Sequence, residues 1–262
     1  MTWTMADERL PELASWVSGD ARDPVMVFVH PNPLDSWSWL YQVFEFAASH
    51  RCVAVDLPGY GATPPIPPEW TIEDLAAAVW RAVDRETRGG PAILVGCSIG
   101  SHLVEIMYHQ RPEAVRALVV SGTGWDPHRH YIARRIREYA ELGRAARRPH
   151  ALDVLSRDFG SSDLGRFFVE TTCRRGEHAD PAAISRLFEI RAEVEPESFI
   201  AGIQAPALVV SGTEDAAHAG AAPLAERLPR GQMVALQGAG HACYLEQPVA
   251  FNAAMRSFLE TL

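Results

Sequence analysis

Seven short apolar runs recur along this chain, at residues 12–17, 25–30, 51–55, 92–97, 115–120, 206–211 and 232–236, and most are separated by longer stretches of helical period. No other feature narrows the fold so far. Several runs, such as VMVFV at 25–29, are apolar at every position, as a strand buried on both faces requires. Buried strands alternating with helices build a mostly parallel α/β sheet with helices on both faces. The pattern predicts helices at 37–49, 71–88, 99–110, 219–228 and 248–261. Thr71 with Asp74 three residues on marks the second start, after the proline-rich PPIPP at 64–68. Pro248 suits the first turn of the last helix.

The alternation breaks after residue 125 and resumes at 206. Three parts follow: a first core segment at 1–125, a mainly helical insertion at 126–205 and a second core segment at 206–262. Of the 24 arginines, 13 fall between 126 and 195 against 12 acids, so the insertion is near neutral. Most of its arginines are expected to be solvated partners of neighbouring acids, as in RRIREYAE at 134–141, where residues three and four apart can pair.

Charge and residue usage then remove function classes. A formal charge of -9 opposes nucleic-acid binding, which draws on clustered positive charge. Every basic residue is Arg and none is Lys, which excludes a lysine nucleophile, a Schiff base and a P-loop lysine. The stretch MTWTMADERL carries acids and lacks a long apolar core, and no apolar run is long enough to span a bilayer. A cytoplasmic location and no membrane partner are the resulting expectations. Cys52, Cys97, Cys173 and Cys243 stand far apart with no CxxC, which suits reduced thiols. His102, His128 and His130 have no ligand cluster at zinc spacing, so no metal and no organic cofactor are expected.

One pentapeptide carries chemistry. Gly96-Cys97-Ser98-Ile99-Gly100 lies between a predicted strand and a predicted helix, the setting of a nucleophile elbow. The flanking glycines let strand and helix pass closely, and the serine stands on a strained turn at a helix N-terminus. There the Ile99 N–H points at a reacting carbonyl oxygen, and the helix dipole favours negative charge on it. Cys97, at the elbow's variable position, is read as a small buried apolar group, and Cys243 likewise.

A serine hydroxyl needs a base, and the base needs a partner that holds its tautomer. His241 in Gly238-Ala239-Gly240-His241 follows the last predicted strand and can fold back over the sheet. Asp215 follows the strand before it, at a carboxyl end where open sheets place their sites. Asp126 in GTGWDP and the adjacent Glu214 are the rival carboxylates, placed second and third. Trp37, Trp39, Trp125 and Tyr244 flank these segments and either line an aromatic pocket or pack in the core.

The order Ser98, Asp215, His241, together with the intervening loops, resembles the α/β-hydrolase family over nearly the whole chain. Residues 56–61 (DLPGYG) look like the family's D-x-P-G-x-G turn, in which Asp56 is structural, and residues 238–248 (GAGHACYLEQP) look like its histidine loop with a following E-x-P. The resemblance implies a helical lid at 126–205. It also implies a second oxyanion donor after an early strand, where the family usually has His-Gly. Here the segment is His30-Pro31-Asn32-Pro33, and proline has no N–H, so the expected pair of donors is Asn32 and Ile99, with the Asn32 side chain as a further contributor. Ser98 stands where dehalogenases and epoxide hydrolases of the superfamily carry an aspartate, which excludes both. The resemblance thus implies hydrolysis of an ester, lactone or thioester through an acyl-enzyme on Ser98, with a small ester-like molecule as the substrate partner. The same residues would serve a carbon–carbon bond hydrolase or a perhydrolase, and a non-catalytic ligand-binding receptor could keep the fold.

Overall fold

The computed structural model describes residues 12–87, 90–124, 129–193 and 200–262. Its strands are β1 (Ser15–Ser18), β2 (Val25–Val29), β3 (Arg51–Val55), β4 (Ala92–Cys97), β5 (Val115–Ser121), β6 (Ala207–Gly212) and β7 (Gly231–Leu236), in the spatial order β1-β3-β2-β4-β5-β6-β7. All neighbouring pairs are parallel except β1 with β3.

Apolar residues at every position of β2 divide by the pleat. Val25, Val27 and Val29 join one buried cluster, and Met26 and Phe28 join the other, on the opposite face. β4 divides in the same way, with Leu94 on the first side and Ile93, Val95 and Cys97 on the second. The first cluster is covered by α2 (Ile72–Asp84) and α3 (Ile99–Gln110), the second by α1 (Leu40–Phe46) and α11 (Pro248–Leu259).

Helix ends follow local chemistry. α2 begins with the capping box expected of Thr71 and Asp74, with the Thr71 N–H donating to Asp74 Oδ2 at 2.9 Å. It stops at Asp84, four residues before the predicted end. The stretch predicted as one helix from 37 divides into a 3-10 turn (Ser36–Trp39), capped by the Asp35 side chain, and α1. β1 begins at Ser15, three residues later than predicted.

Between β5 and β6 lie α4 (Arg129–Leu142), α5 (Arg147–Asp153), α6 (Arg157–Ser161), α7 (Asp163–Arg175) and α8 (Pro181–Ala192); α9 (His218–Arg227) and the short α10 (Cys243–Glu246) belong to the sheet. These helices add side chains to both clusters: Ile132, Tyr139, Leu187 and Phe188 to one, Val154, Phe168 and Val169 to the other. Several of their arginines are solvated partners of neighbouring acids as expected, Arg134 with Glu138 and Arg166 with Asp163 among them, but three depart from that expectation. Arg135, Arg147 and Arg191 are buried. Arg135 is 1% exposed and sits between Glu138 and Asp153, with the ring of Tyr131 5.0 Å from its guanidinium. Two carboxylates and a π-face compensate for its desolvation, which neighbours on one helix alone would not do. Among the described residues no helix is long and apolar enough to cross a membrane.

Candidate active site

Neighbouring strands end in step: Cys97 pairs with Ser121, Ser121 with Val210, and Gly212 with Leu236. The loops leaving β4 to β7 therefore open on one edge. β2 lies between β3 and β4, so the chain switches from one half of the sheet to the other at β2, where open α/β sheets place their sites.

Ser98 leaves β4 at φ 57° and ψ −118° and caps α3, the one positive-φ residue besides glycine among those described. Such a conformation costs about 1–3 kcal/mol and persists only where its surroundings enforce it. The Ser98 N–H donates to Ser121 O at 2.9 Å, and Ser101 Oγ donates to the same carbonyl at 2.8 Å. Two glycines let the turn close. A Cβ on Gly96 would stand 2.3 Å from Gly100 O, and one on Gly100 would stand 2.2 Å from Val29 O. The Ile99 N–H, in the first turn of α3, has no carbonyl of its own helix to bond.

His241 follows β7, and its Nδ1 donates to both carboxylate oxygens of Asp215, at 3.0 and 3.1 Å. This bond fixes the proton on Nδ1 and leaves Nε2 to accept. Burial pulls the His241 pKa down, but the charge and hydrogen bond of Asp215 outweigh it and leave the group above its ordinary value. Asp215 is thus the carboxylate that reaches the imidazole. Glu214 lies on the cavity wall, with its N–H on Ala239 O at 2.9 Å, and Asp126 and Trp125 lie outside the described residues.

Sequence reasoning missed two supports of His241. Gly122, at φ +59°, lies directly under the ring, and a Cβ there would stand 2.9 Å from His241 Cε1. The signal was available in the glycine that follows β5. Glu246, the acid of the E-x-P, accepts the Gly240 N–H at 3.1 Å and the Ser156 N–H at 2.9 Å, tying the histidine loop to the start of α6.

Ser98, Ile99, Asn32, Asp215 and His241 line one cavity of about 110 Å³, together with Ile132, Leu155, Leu187 and Phe188 from the segment between β5 and β6. No hydrogen bond joins Ser98 Oγ to His241 among the described residues. Asn32 is 4% exposed; its Oδ1 accepts the Tyr60 hydroxyl at 2.9 Å, while its Nδ2 is buried without a partner. From the insertion, Arg147 donates to Pro33 O at 3.0 Å and holds this segment from outside. His30 Nδ1 donates to Pro31 O, its Nε2 accepts the Leu57 N–H, and burial pushes its pKa down. Asp56 accepts the Ser36 N–H at 2.9 Å, in the structural role expected of it.

Three proposed pocket aromatics lie elsewhere. Trp39 and Tyr244 are fully buried and stacked, with centroids 3.7 Å apart, in the core beside Phe251. Trp37 packs on Phe168. None of the three lines the cavity, whose apolar lining includes Ile132, Leu155, Leu187 and Phe188 instead. Cys97 and Cys243 are fully buried, and burial raises both thiols, which keeps them protonated.

Residues 26–254 match the model of the alpha/beta hydrolase family, and the chain belongs to that family. A pimeloyl-[acyl-carrier protein] methyl ester esterase from Chromobacterium violaceum is 28% identical over 235 residues, covering 84% of this chain and 88% of that protein. Polyketide synthase ThaQ from Burkholderia thailandensis is 27% identical over 237 residues, 80% of this chain, and the match spans only 10% of the synthase. Among solved structures, the enol-lactonase from Burkholderia xenovorans LB400 shares the fold with a TM-score of 0.83 at 21% identity, over 95% of this chain and 96% of that one.

Proposed function

We propose that this hydrolase-family chain is a serine hydrolase that cleaves a carboxylic ester, lactone or thioester through an acyl-enzyme on Ser98. The observation that carries this reading is the hydrogen bonding of His241 Nδ1 to both Asp215 oxygens in the cavity that also holds Ser98 on its positive-φ turn.

In the proposed reaction His241 Nε2 takes the Ser98 proton as Oγ attacks the carbonyl carbon. The Asp215 carboxylate stabilises the imidazolium that forms. The Ile99 N–H and Asn32 hold the oxyanion, and Tyr60 leaves the Asn32 amide nitrogen as the available donor. Collapse expels the alcohol or thiol, which takes the proton from His241. Water, deprotonated by the same imidazole, then attacks the acyl-enzyme, and the acid leaves as Ser98 Oγ takes the proton back from His241. The helical insertion acts as a lid that supplies the apolar wall, and the methyl ester esterase relative supports an ester as the bond cleaved.

A fluorophosphonate probe is expected to label the protein at Ser98. Labelling absent from Ser98→Ala supports the reading, and labelling that persists in that variant overturns it.

A further inference from the structure

Between β5 and β6 a chain of three polar rings ends on the cavity. The Tyr139 hydroxyl, on α4, lies 2.9 Å from Nδ1 of His150 on α5, and His150 Nε2 lies 3.3 Å from the hydroxyl of Tyr131, again on α4. Tyr139 is 3% exposed and His150 is fully buried, whereas Tyr131 is only partly buried and lines the cavity that holds Ser98 and His241. The chemistry proposed for Ser98 uses none of the three.

Burial decides which way the hydrogens of this chain point. Burial, reinforced by the positive charge of Arg135, pushes the His150 pKa well down, so the ring is neutral; it raises both phenols, so each keeps its hydrogen. A neutral imidazole donates from one nitrogen and accepts at the other. Among the described residues His150 Nδ1 is the one hydrogen-bond partner of the Tyr139 hydroxyl. Were Nδ1 protonated, the Tyr139 hydrogen would be stranded inside the core at the full desolvation cost of a buried donor. Nδ1 therefore accepts from Tyr139, and Nε2 carries the ring hydrogen and donates it to the Tyr131 oxygen. The hydrogen left over is that of Tyr131. Arg134 and Arg135, with guanidiniums 5.3 and 5.0 Å from the Tyr131 ring centroid, can only donate, and Asp153 Oδ2 is bound to those two arginines.

On the reading that Ser98 is the nucleophile, we propose that Tyr131 is a substrate-recognition residue, set as a hydrogen-bond donor by Tyr139 and His150 for an ether or carbonyl oxygen of the substrate other than the one that reacts. The lining that accompanies it, Ile132, Leu155, Leu187 and Phe188, is apolar, so the substrate that fits is a mainly apolar chain carrying one such oxygen. A chain without the oxygen leaves the Tyr131 donor unpaired, and a site built to hydrogen-bond one group discriminates against the analogue that lacks it.

Two measurements test the proposal. Imidazole 15N–1H NMR of the wild-type protein, with His150 assigned through its ring contacts to Tyr139 and Phe188, is expected to show the hydrogen on Nε2 and none on Nδ1. A hydrogen on Nδ1 overturns the proposal, and this readout stands should a variant fold poorly. Next, kcat/KM is compared for p-nitrophenyl hexanoate against its 4-oxa and 5-oxa analogues, and for butyl against 2-methoxyethyl hexanoate. In each pair an ether oxygen replaces a methylene, on the acyl side or the alcohol side. Intrinsic reactivity cancels when the ether-to-alkyl ratio of the wild type is divided by that of Tyr131→Phe. In one arm the ratio is expected to fall about fivefold in the variant, the scale of one neutral hydrogen bond, and that arm shows which side of the ester Tyr131 reads. Ratios that Tyr131→Phe leaves unchanged in both arms overturn the recognition and leave the Ser98 reading standing. Hydrolysis of none of the esters overturns the recognition where fluorophosphonate still labels Ser98, and overturns both readings where it does not.

Discussion

On the sheet side of the cavity, Gly96, Gly122 and Gly212 let backbone touch backbone or ring, whereas toward the helices between β5 and β6 charged side chains make the contacts: Arg135 with Glu138 and Asp153, Arg147 with Pro33 O, and Glu246 with Ser156. The first side is held by what its residues lack, so adding a single methyl disturbs it. The second is held by what its residues carry, so removing a charge disturbs it. The proposed reacting groups sit on the first side, where strand register already fixes their spacing.

The contrast is sharpest at Asp215. Asp215→Asn keeps the shape of the loop but permits the wrong imidazole tautomer, and kcat is expected to fall by about 10⁴-fold with the thermal midpoint little changed. A loss below tenfold would mean that another carboxylate orients His241. Gly122→Ala comes next. Its Cβ would meet His241 Cε1 and Cys97 Sγ at 2.9 Å on a positive-φ residue, so the ring must move. A displacement of about 1 Å corresponds to a loss near 10²-fold in kcat, read by steady-state kinetics with circular dichroism unchanged.

Breaking the insertion side has a different signature. Arg135→Met removes the guanidinium between two carboxylates, and the expected cost is about 2 kcal/mol of stability by denaturant unfolding, below the range for fully buried pairs because Asp153 is partly exposed. Its kcat is expected to change less than tenfold. A catalytic loss matching that of Gly122→Ala would erase the distinction between the two sides.

The smallest effect is a pH shift. His241 acts as a base only when neutral, and its pKa is raised above its ordinary value. The acid limb of kcat/KM is therefore expected above about pH 6.5, the unperturbed imidazole value, with activity lost as pH falls through it. A limb below that value would show that desolvation outweighs Asp215.

How far the sequence spoke follows the same division. The sheet strands, the Ser98 turn, the capping box at Thr71 and the choice of Asp215 rest on short-range rules of period, glycine and strand end, which a sequence displays directly. The burial of Arg135, the core stack of Trp39 on Tyr244 and the clamp of Arg147 on Pro33 depend on residues distant in the chain meeting across the fold. The spacing of RRIREYAE pointed to solvated pairs because it places charges along one helix without showing what packs over it. Asn32 falls between the two cases: flanking prolines singled it out, but only the Tyr60 hydroxyl, 28 residues away, shows which end of its amide is left to donate.

The central claim is that Ser98 and His241 act as one unit on one bond, and kinetics of Ser98→Ala, His241→Ala and the double variant on a cleaved p-nitrophenyl ester test it most directly. Residues of one catalytic unit lose nearly everything with the first removal, so the double variant is expected within about threefold of the weaker single variant. Losses that multiply across the two substitutions would show that Ser98 and His241 contribute independently, and would contradict the account.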